Sequence, residues 1–278
     1  MTSKSEARRA TLKKKFASGD MIIGPGVYDG LSARIADTQG FDALYLTGYG
    51  VSASLLTKPD NGFLSADDMQ FRIASLCEEV KTPIIADADT GFGDIADTVA
   101  RYEVAGAAGI QLEDQQVPKI CGHIAGREVI AREEAIANIQ QAVAARKSDD
   151  FLIVARTDAR EQNGLDEAIA RGAAFLEAGA DVLFIESPES AEEMATIGKE
   201  LGHASLLANM IEGGRTPLMP REELMAMGFN FIIYPVVALA VVTASLQETY
   251  RQLLRADVAQ ERVTFKELSR MVGLPEKK

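Results

Sequence analysis

Gly106-Ala107-Ala108-Gly109-Ile110-Gln111-Leu112-Glu113 has an outline that returns, without gaps, three more times in the chain: Gly40-FDALYL-Thr47, Gly179-ADVLFI-Glu186 and Gly228-FNFIIY-Pro235. Each copy follows a helical pattern. The leading glycine suits a helix C-cap, a short step turns the chain, and the apolar run reads as a strand buried on both faces. The copies are too unevenly spaced for a solenoid, yet they suit every second unit of an alternating array. Four further apolar runs lie between or before them: Met21-Ile22-Ile23, Pro83-Ile84-Ile85-Ala86, Phe151-Leu152-Ile153-Val154-Ala155 and Ser205-Leu206-Leu207-Ala208.

Helical stretches separate these eight strands. They run over 67–79, where Ser65 and Asp68 form a rough capping box, then 94–105, 132–146, 166–177, 191–201 and 221–227. Alternation of this kind implies a parallel sheet, and eight units close most naturally as a (β/α)8 barrel of the α/β class, for which about 250 residues is usual. A doubly wound open sheet is the alternative, but no G-x-G-x-x-G follows the first strand. All 278 residues are read as a single barrel domain.

Composition narrows the function. Hydrophobic residues make up 47% and charged residues 25%, ordinary globular values, so neither disorder nor a fibrous repeat is indicated. A net charge of −12 argues against nucleic acid or an anionic membrane as partner. Cys77 and Cys121 do not form a disulfide framework or a zinc motif, and a reducing cytoplasm fits them. The first twenty residues carry clustered cations without the apolar core of a signal peptide, and read as a surface helix. The longest apolar run, 229–246, is broken by Asn230 and Pro235; it reads as a strand and a buried helix rather than a membrane span.

In a barrel of this kind the active site lies at the C-terminal ends of the strands. Those ends hold Tyr28 and Asp29; Tyr45, Thr47 and Gly48; Asp87 and Asp89; Glu113 and Asp114; Arg156 and Asp158; Glu186; Asn209 and Glu212; and Tyr234. Asp87, Asp89 and Glu113, with Asp60 from the loop after the second strand, offer hard oxygen ligands suited to Mg²⁺ or Mn²⁺ rather than zinc. The plain alternative for Asp87 to Gly93 is a turn leading to a helix N-cap. Arg156 could clamp a carboxylate in bidentate fashion, or form a structural ion pair with Glu186 or Asp158.

The loop after the fourth strand gathers Lys119, Cys121, Gly122 and His123, one of only two histidines. Neighbouring cations there could lower the thiol's pKa from its usual ~8.5, making Cys121 a nucleophile or proton donor. Cys77, on a helical apolar stripe, reads as packing, and His203, in a turn away from the strand C-termini, as solvated.

Six segments, in order, resemble the isocitrate lyase and phosphoenolpyruvate mutase superfamily: Tyr45-Leu46-Thr47-Gly48, Asp87-Ala88-Asp89-Thr90-Gly91-Phe92-Gly93, Glu113-Asp114-Gln115, Lys119-Ile120-Cys121-Gly122-His123, Ala155-Arg156-Thr157-Asp158-Ala159 and Ala208-Asn209-Met210. The resemblance runs from Gly24 to about Leu254. It implies a Mg²⁺-dependent barrel, usually tetrameric, with the last helices exchanged between subunits; residues 255–278 would belong to that segment. The K-x-C-G-H loop is similar to that of the carbon–carbon lyases, whereas phosphonate mutases lack its cysteine. Ile120 stands where isocitrate and methylisocitrate lyases carry Lys or Arg, which disfavours a tricarboxylate, and residues 209–217 look more like the 2-alkylmalate and 2,3-dimethylmalate lyases.

The resemblance therefore implies cleavage of a 2-hydroxy dicarboxylate such as 2,3-dimethylmalate into pyruvate or another 2-oxo acid and a carboxylate. Cys121 would protonate the carbanion, Arg156 would stabilise its charge, and His123 and Asn209 would add hydrogen bonds. Lys119, Tyr45 and Glu186 are the candidates for the base, and backbone N–H groups of Thr47, Gly48 and Tyr49 for holding a carboxylate. Residues 115–126 would close over the substrate. The alternatives are 2-methylisocitrate lyase, oxaloacetate hydrolase or decarboxylase, and phosphonopyruvate chemistry. Val236 and Val237 offer no hydroxyl for a hydrated ketone, which weighs against the hydrolase.

Overall fold

The structure, a computed structural model, describes residues 4–122, 126–255 and 263–274. Eight strands form: β1 Ile22–Val27, β2 Leu44–Leu46, β3 Ile84–Asp87, β4 Gly109–Glu113, β5 Leu152–Thr157, β6 Val182–Ile185, β7 Ser205–Asn209 and β8 Phe229–Tyr234. Every neighbouring pair is parallel, and β1 pairs with β8, closing the sheet as a (β/α)8 barrel. The four aligned glycines of the repeat, Gly40, Gly106, Gly179 and Gly228, all have φ between 82° and 102°. That left-handed conformation is the reason for glycine at this step, since a Cβ would strain it. The helices fall within a residue or so of their expected bounds, as at Ala66–Glu79, Ile95–Ala105, Arg132–Ala145 and Ala191–Leu201. Ser65 and Asp68 make the expected capping box.

Strand periodicity divides the apolar residues into two cores. Ile84, Ala86, Ile110, Leu112, Ile153 and Leu183 pack outward beneath the helices. Ile85, Leu152, Val154, Val182, Phe184, Leu207, Phe231 and Ile233 fill the barrel interior. Side chains alternate along a strand, so each interior column continues two residues on into a polar one: Ile85 into Asp87, Val154 into Arg156, Phe184 into Glu186 and Leu207 into Asn209. The functional rim is thus the top layer of the barrel's own core.

Two expectations are corrected. The amino-terminal helix Lys4–Ser18 is not merely a surface helix, because it buries Leu12 and Phe16 in the barrel interior. Phe16 meets Phe231 edge-on with centroids 5.5 Å apart, and Arg9, 5% exposed, donates to the carbonyl of Ala107 at 2.8 Å. Only three of its residues are buried, and the surrounding cations conceal that narrow stripe in the sequence. Conversely, the apolar helix Val237–Leu254 buries no residue within this chain, and Val241 and Tyr250 are each 60% exposed. Among the described residues no helix is long and apolar enough to cross a membrane. Cys77 is buried against the helical layer and His203 is exposed, as expected.

Candidate active site

Parallel register brings the site together. Asp87 on β3 lies beside Gln111 on β4, and Glu113 on β4 beside Arg156 on β5. These are neighbours because the parallel register sets them side by side on adjacent strands, not because they are close in sequence. A cavity of about 600 Å³ opens above them, with Asp60, Asp87, Cys121, Arg156, Glu186 and Asn209 among its lining.

On one side stand the acids. Asp87 Oδ1 accepts from Gln111 Nε2 and from the Asp89 N–H, each at 3.2 Å, while Oδ2 accepts from the Gly48 N–H at 3.2 Å. Asp89 itself has φ 49°, an unusual backbone for a residue with a side chain, and such strain concentrates at functional sites. The turn also performs its plain structural duty, since Asp94 caps the next helix by accepting from the Asp97 N–H. Burial pushes Asp87, Asp89 and Glu113 all upward as acids, Asp89 to about 7, and their mutual repulsion adds to the effect. Glu113 Oε1 is buried and accepts no hydrogen bond among the described residues.

Lys119 reaches into this cluster. Its ammonium is bonded to Asp89 and lies 2.8 Å from Asp60 Oδ1, with the side chain 5% exposed. Burial alone would lower its pKa, but Asp89, Glu113, Asp60 and Asp87 together hold it well above the ordinary lysine value. Lys119 is therefore a fixed positive charge in this arrangement. Among the described residues no three acids converge at ligand distance, since the ammonium lies between Asp60 and Asp89. The donor set nevertheless fits a hard divalent cation: all oxygens, more acids than Lys119 can neutralise, and a buried Glu113 oxygen without a donor.

Arg156 forms the opposite wall. Its Nε and Nη2 each donate to Asp158 at 2.9 Å, and Nη1 lies 3.3 Å from Glu186 and 3.5 Å from Glu113. The guanidinium is 5.1 Å from the centre of the Phe184 ring. The structural pairing expected of Arg156 is present, and the bond to Asp158 fixes the fork beside the cavity. Glu186, fully buried, accepts from Asn209 Nδ2 at 3.3 Å and from Ser187 Oγ at 2.9 Å.

Tyr45 donates its hydroxyl to Gln111 Oε1, and burial first, then Asp87, raises its pKa well above the usual value. The Thr47 N–H donates to the Val27 carbonyl at 3.1 Å, so it serves the sheet rather than a ligand, and the Gly48 N–H is engaged with Asp87. Tyr49 is 40% exposed at the mouth of the cavity. Cys121 and Gly122 also line the cavity; a Cβ placed on Gly122 would stand 2.3 Å from Arg156 Nη2. His123 lies outside the described residues.

Two participants escaped sequence reasoning. Gln111 sits mid-run in an apolar strand, and its polarity at an interior position was the available signal. Arg127, at the end of the loop and 1% exposed, had none, because a lone arginine after a glycine reads as solvated.

A model described as phosphoenolpyruvate phosphomutase matches residues 12–254 of the chain. The chain belongs to that family. Within the wider phosphoenolpyruvate mutase/isocitrate lyase superfamily, it is 46% identical over 272 residues to the 2,3-dimethylmalate lyase of Eubacterium barkeri, covering 95% of this chain and 94% of that one. A crystal structure of 2,3-dimethylmalate lyase superposes with a TM-score of 0.91 at 37% identity, covering 99% and 93% of the two chains. Oxaloacetate acetylhydrolase with 3,3-difluorooxalacetate gives 0.92 at 38% identity, covering 96% and 93%. The crystal structure of a phosphonopyruvate hydrolase complex with oxalate and Mg²⁺ gives 0.85 at 27% identity, covering 96% and 95%.

Proposed function

We propose that the protein is a divalent-metal-dependent carbon–carbon lyase that cleaves a 2-alkylmalate-type 2-hydroxy dicarboxylate, with 2,3-dimethylmalate as the representative substrate. The observation that carries this reading is the presence, around one cavity, of an acid cluster, the guanidinium of Arg156 and Cys121. The near full-length likeness to a 2,3-dimethylmalate lyase supports the substrate class.

Asp87, Asp89, Glu113 and Asp60 would hold Mg²⁺ or Mn²⁺. Bound there, the cation would orient the 2-hydroxy acid and favour ionisation of its hydroxyl. The protein's own groups do the rest. The hydroxyl proton leaves, the C2–C3 bond breaks, and its electrons pass to C3 and the adjoining carboxylate, so pyruvate departs while negative charge grows on the other fragment. Arg156 stabilises that charge, with Asn209 and, by resemblance, His123 donating hydrogen bonds. Cys121 then delivers a proton to C3 and yields propionate.

Of the three base candidates, Glu186 has the best support. Tyr45 is held as a hydroxyl donor and Lys119 as an ammonium, whereas Glu186 is an acceptor beside Arg156. Thr47 and Tyr49 would meet the substrate's carboxylate end through the Thr47 hydroxyl and the Tyr49 backbone, while the Gly48 N–H stays with Asp87. Cys121 and Gly122, the described end of the loop, would lie over the bound substrate.

The apolar face left by the helix Val237–Leu254 supports a partner surface, which the family resemblance would fill with a homotetramer exchanging residues 255–278. A cytoplasmic location suits a chain in which Cys77 and Cys121 are not joined by a disulfide.

Release of pyruvate from 2,3-dimethylmalate and 2-methylisocitrate, and of oxalate or pyruvate from oxaloacetate, tests the assignment. Turnover of 2,3-dimethylmalate that chelation abolishes and Cys121→Ser cuts by about a hundredfold is the expected result. Full activity after chelation, or in Cys121→Ser, would overturn the metal or the proton donor respectively. The second reading, oxaloacetate hydrolysis, draws on the TM-score of 0.92, but Pro235 and Val236 line the cavity without a hydroxyl.

A further inference from the structure

Arg127 has no part in the reaction described, yet it is the bulkiest fully buried side chain among the described residues. Its Nη1 donates to the carbonyl of Gly122, to Asp158 Oδ1 at 2.9 Å and toward Ser187 Oγ at 3.4 Å. Nε donates to Glu161 Oε2 at 2.7 Å. Glu161 in turn accepts from the Gly126 N–H at 3.1 Å and pairs with Arg215 at 2.9 Å. The Gly122 carbonyl also lies 3.0 Å from Ser187 Oγ. One guanidinium therefore ties the carbonyl of Gly122, the residue after Cys121, to the same carboxylate, Asp158, that aims Arg156.

Burying an arginine and two acids is a poor way to gain stability, because desolvation offsets most of the attraction. It is an effective way to fix geometry, since a fork of donors held by fixed acceptors has few alternative arrangements. The fit at this point is narrow: a single added carbon on Gly122 would collide with Arg156. We propose that Arg127 is a positioning residue, which anchors Gly122 by its carbonyl and thereby sets the adjoining Cys121 so that the thiol faces the carbon being protonated. Its action is exerted through the Gly122 carbonyl and Asp158, without contact with substrate. The catalytic part of this inference rests on the reading of Cys121 as proton donor.

Arg127→Lys, Arg127→Met and Glu161→Gln are compared with the unaltered enzyme in two measurements. In the first, Cys121 alkylation by iodoacetamide is followed on folded protein by peptide mass spectrometry, independently of any substrate. A change of fivefold or more in Arg127→Met, smaller in Arg127→Lys, is expected. In the second, 2,3-dimethylmalate is cleaved in D₂O and the configuration of the 2-deuteriopropionate is determined. The unaltered enzyme gives one configuration. Arg127→Met gives a mixture, with kcat down about a hundredfold and KM within threefold, as misplacement of a reacting group by an ångström predicts. If Arg127→Met is too unstable to purify, Arg127→Lys and Glu161→Gln decide the matter by the same two readings. Alkylation within twofold of the original and a single product configuration in all folded variants would overturn the proposal, whatever their melting temperatures. Absence of any cleavage of 2,3-dimethylmalate by the unaltered enzyme would instead count against the substrate assignment and leave the alkylation result to decide on Arg127.

Discussion

Gly122 shows how tightly the site is built at the scale of one residue. It occupies the space beside Arg156 Nη2 and Glu186 Oε2, where an added Cβ would lie 2.3 and 3.0 Å away. The guanidinium cannot retreat easily, because Asp158 holds it through two bonds of 2.9 Å. Gly122→Ala should therefore cost activity, by about a hundredfold. Its melting temperature should fall only slightly, as Gly122 lies in a loop. A variant with near-normal kcat would mean that Arg156 is free to shift. This constraint could not be seen in the sequence, where the glycine of K-x-C-G-H suggests only a tight turn. Arg156 was legible, because five apolar residues ending in an arginine require a reason for burying it.

At the scale of elements, three loops meet through Glu161. It joins Gly126 and Arg127 at the end of the β4 loop to Arg215 after β7. Burial opposes its ionisation, but the hydrogen bonds from Arg127, Arg215 and Gly126 prevail and lower its pKa from 4.5 to about 2. A carboxylate with a depressed folded-state pKa binds protons better in the unfolded chain, so its contribution is complete above about pH 4.5 and fades as pH falls toward 2. Glu161→Gln should thus be less stable at pH 7, by about 1 kcal/mol once solvent screening of a partly exposed carboxylate is allowed for. Urea unfolding at pH 7, 4 and 3 should show the gap to the unaltered protein narrowing stepwise. A gap independent of pH would mean that the pairing is not electrostatic. Nothing in the spacing of Arg127, Glu161 and Arg215 announced this junction, because it depends on how loops from different strands converge.

For the whole molecule, the helix Val237–Leu254 presents Val241, Val242, Leu246, Tyr250 and Leu253 to solvent within one chain. An apolar face of this extent signals a partner surface. Under the proposed tetramer a second copy covers it, so Val241→Glu combined with Leu246→Glu should lower the mass in light scattering from four chains to one or two. A monomeric unaltered protein at micromolar concentration would remove the proposal. The sequence reading expected this helix to be buried, and the apolar pattern behind that expectation is real. Pattern reports that a face needs covering, but it does not say whether the cover belongs to the same chain.

The sequence by itself determined the barrel, the strand ends that form the rim and the residue types gathered there. It could do so because strand periodicity, glycine caps and apolar runs are local consequences of backbone geometry. The columns Ile85–Asp87, Val154–Arg156 and Phe184–Glu186 follow from alternation once the barrel is granted. Tertiary structure alone decided that Leu12 and Phe16 enter the barrel, that Lys119 stands between Asp60 and Asp89, and that buried Arg127 links Gly122 to Asp158. Those contacts join segments distant in the chain, and charges are drawn into the interior only where closure of the barrel supplies partners that no local pattern encodes.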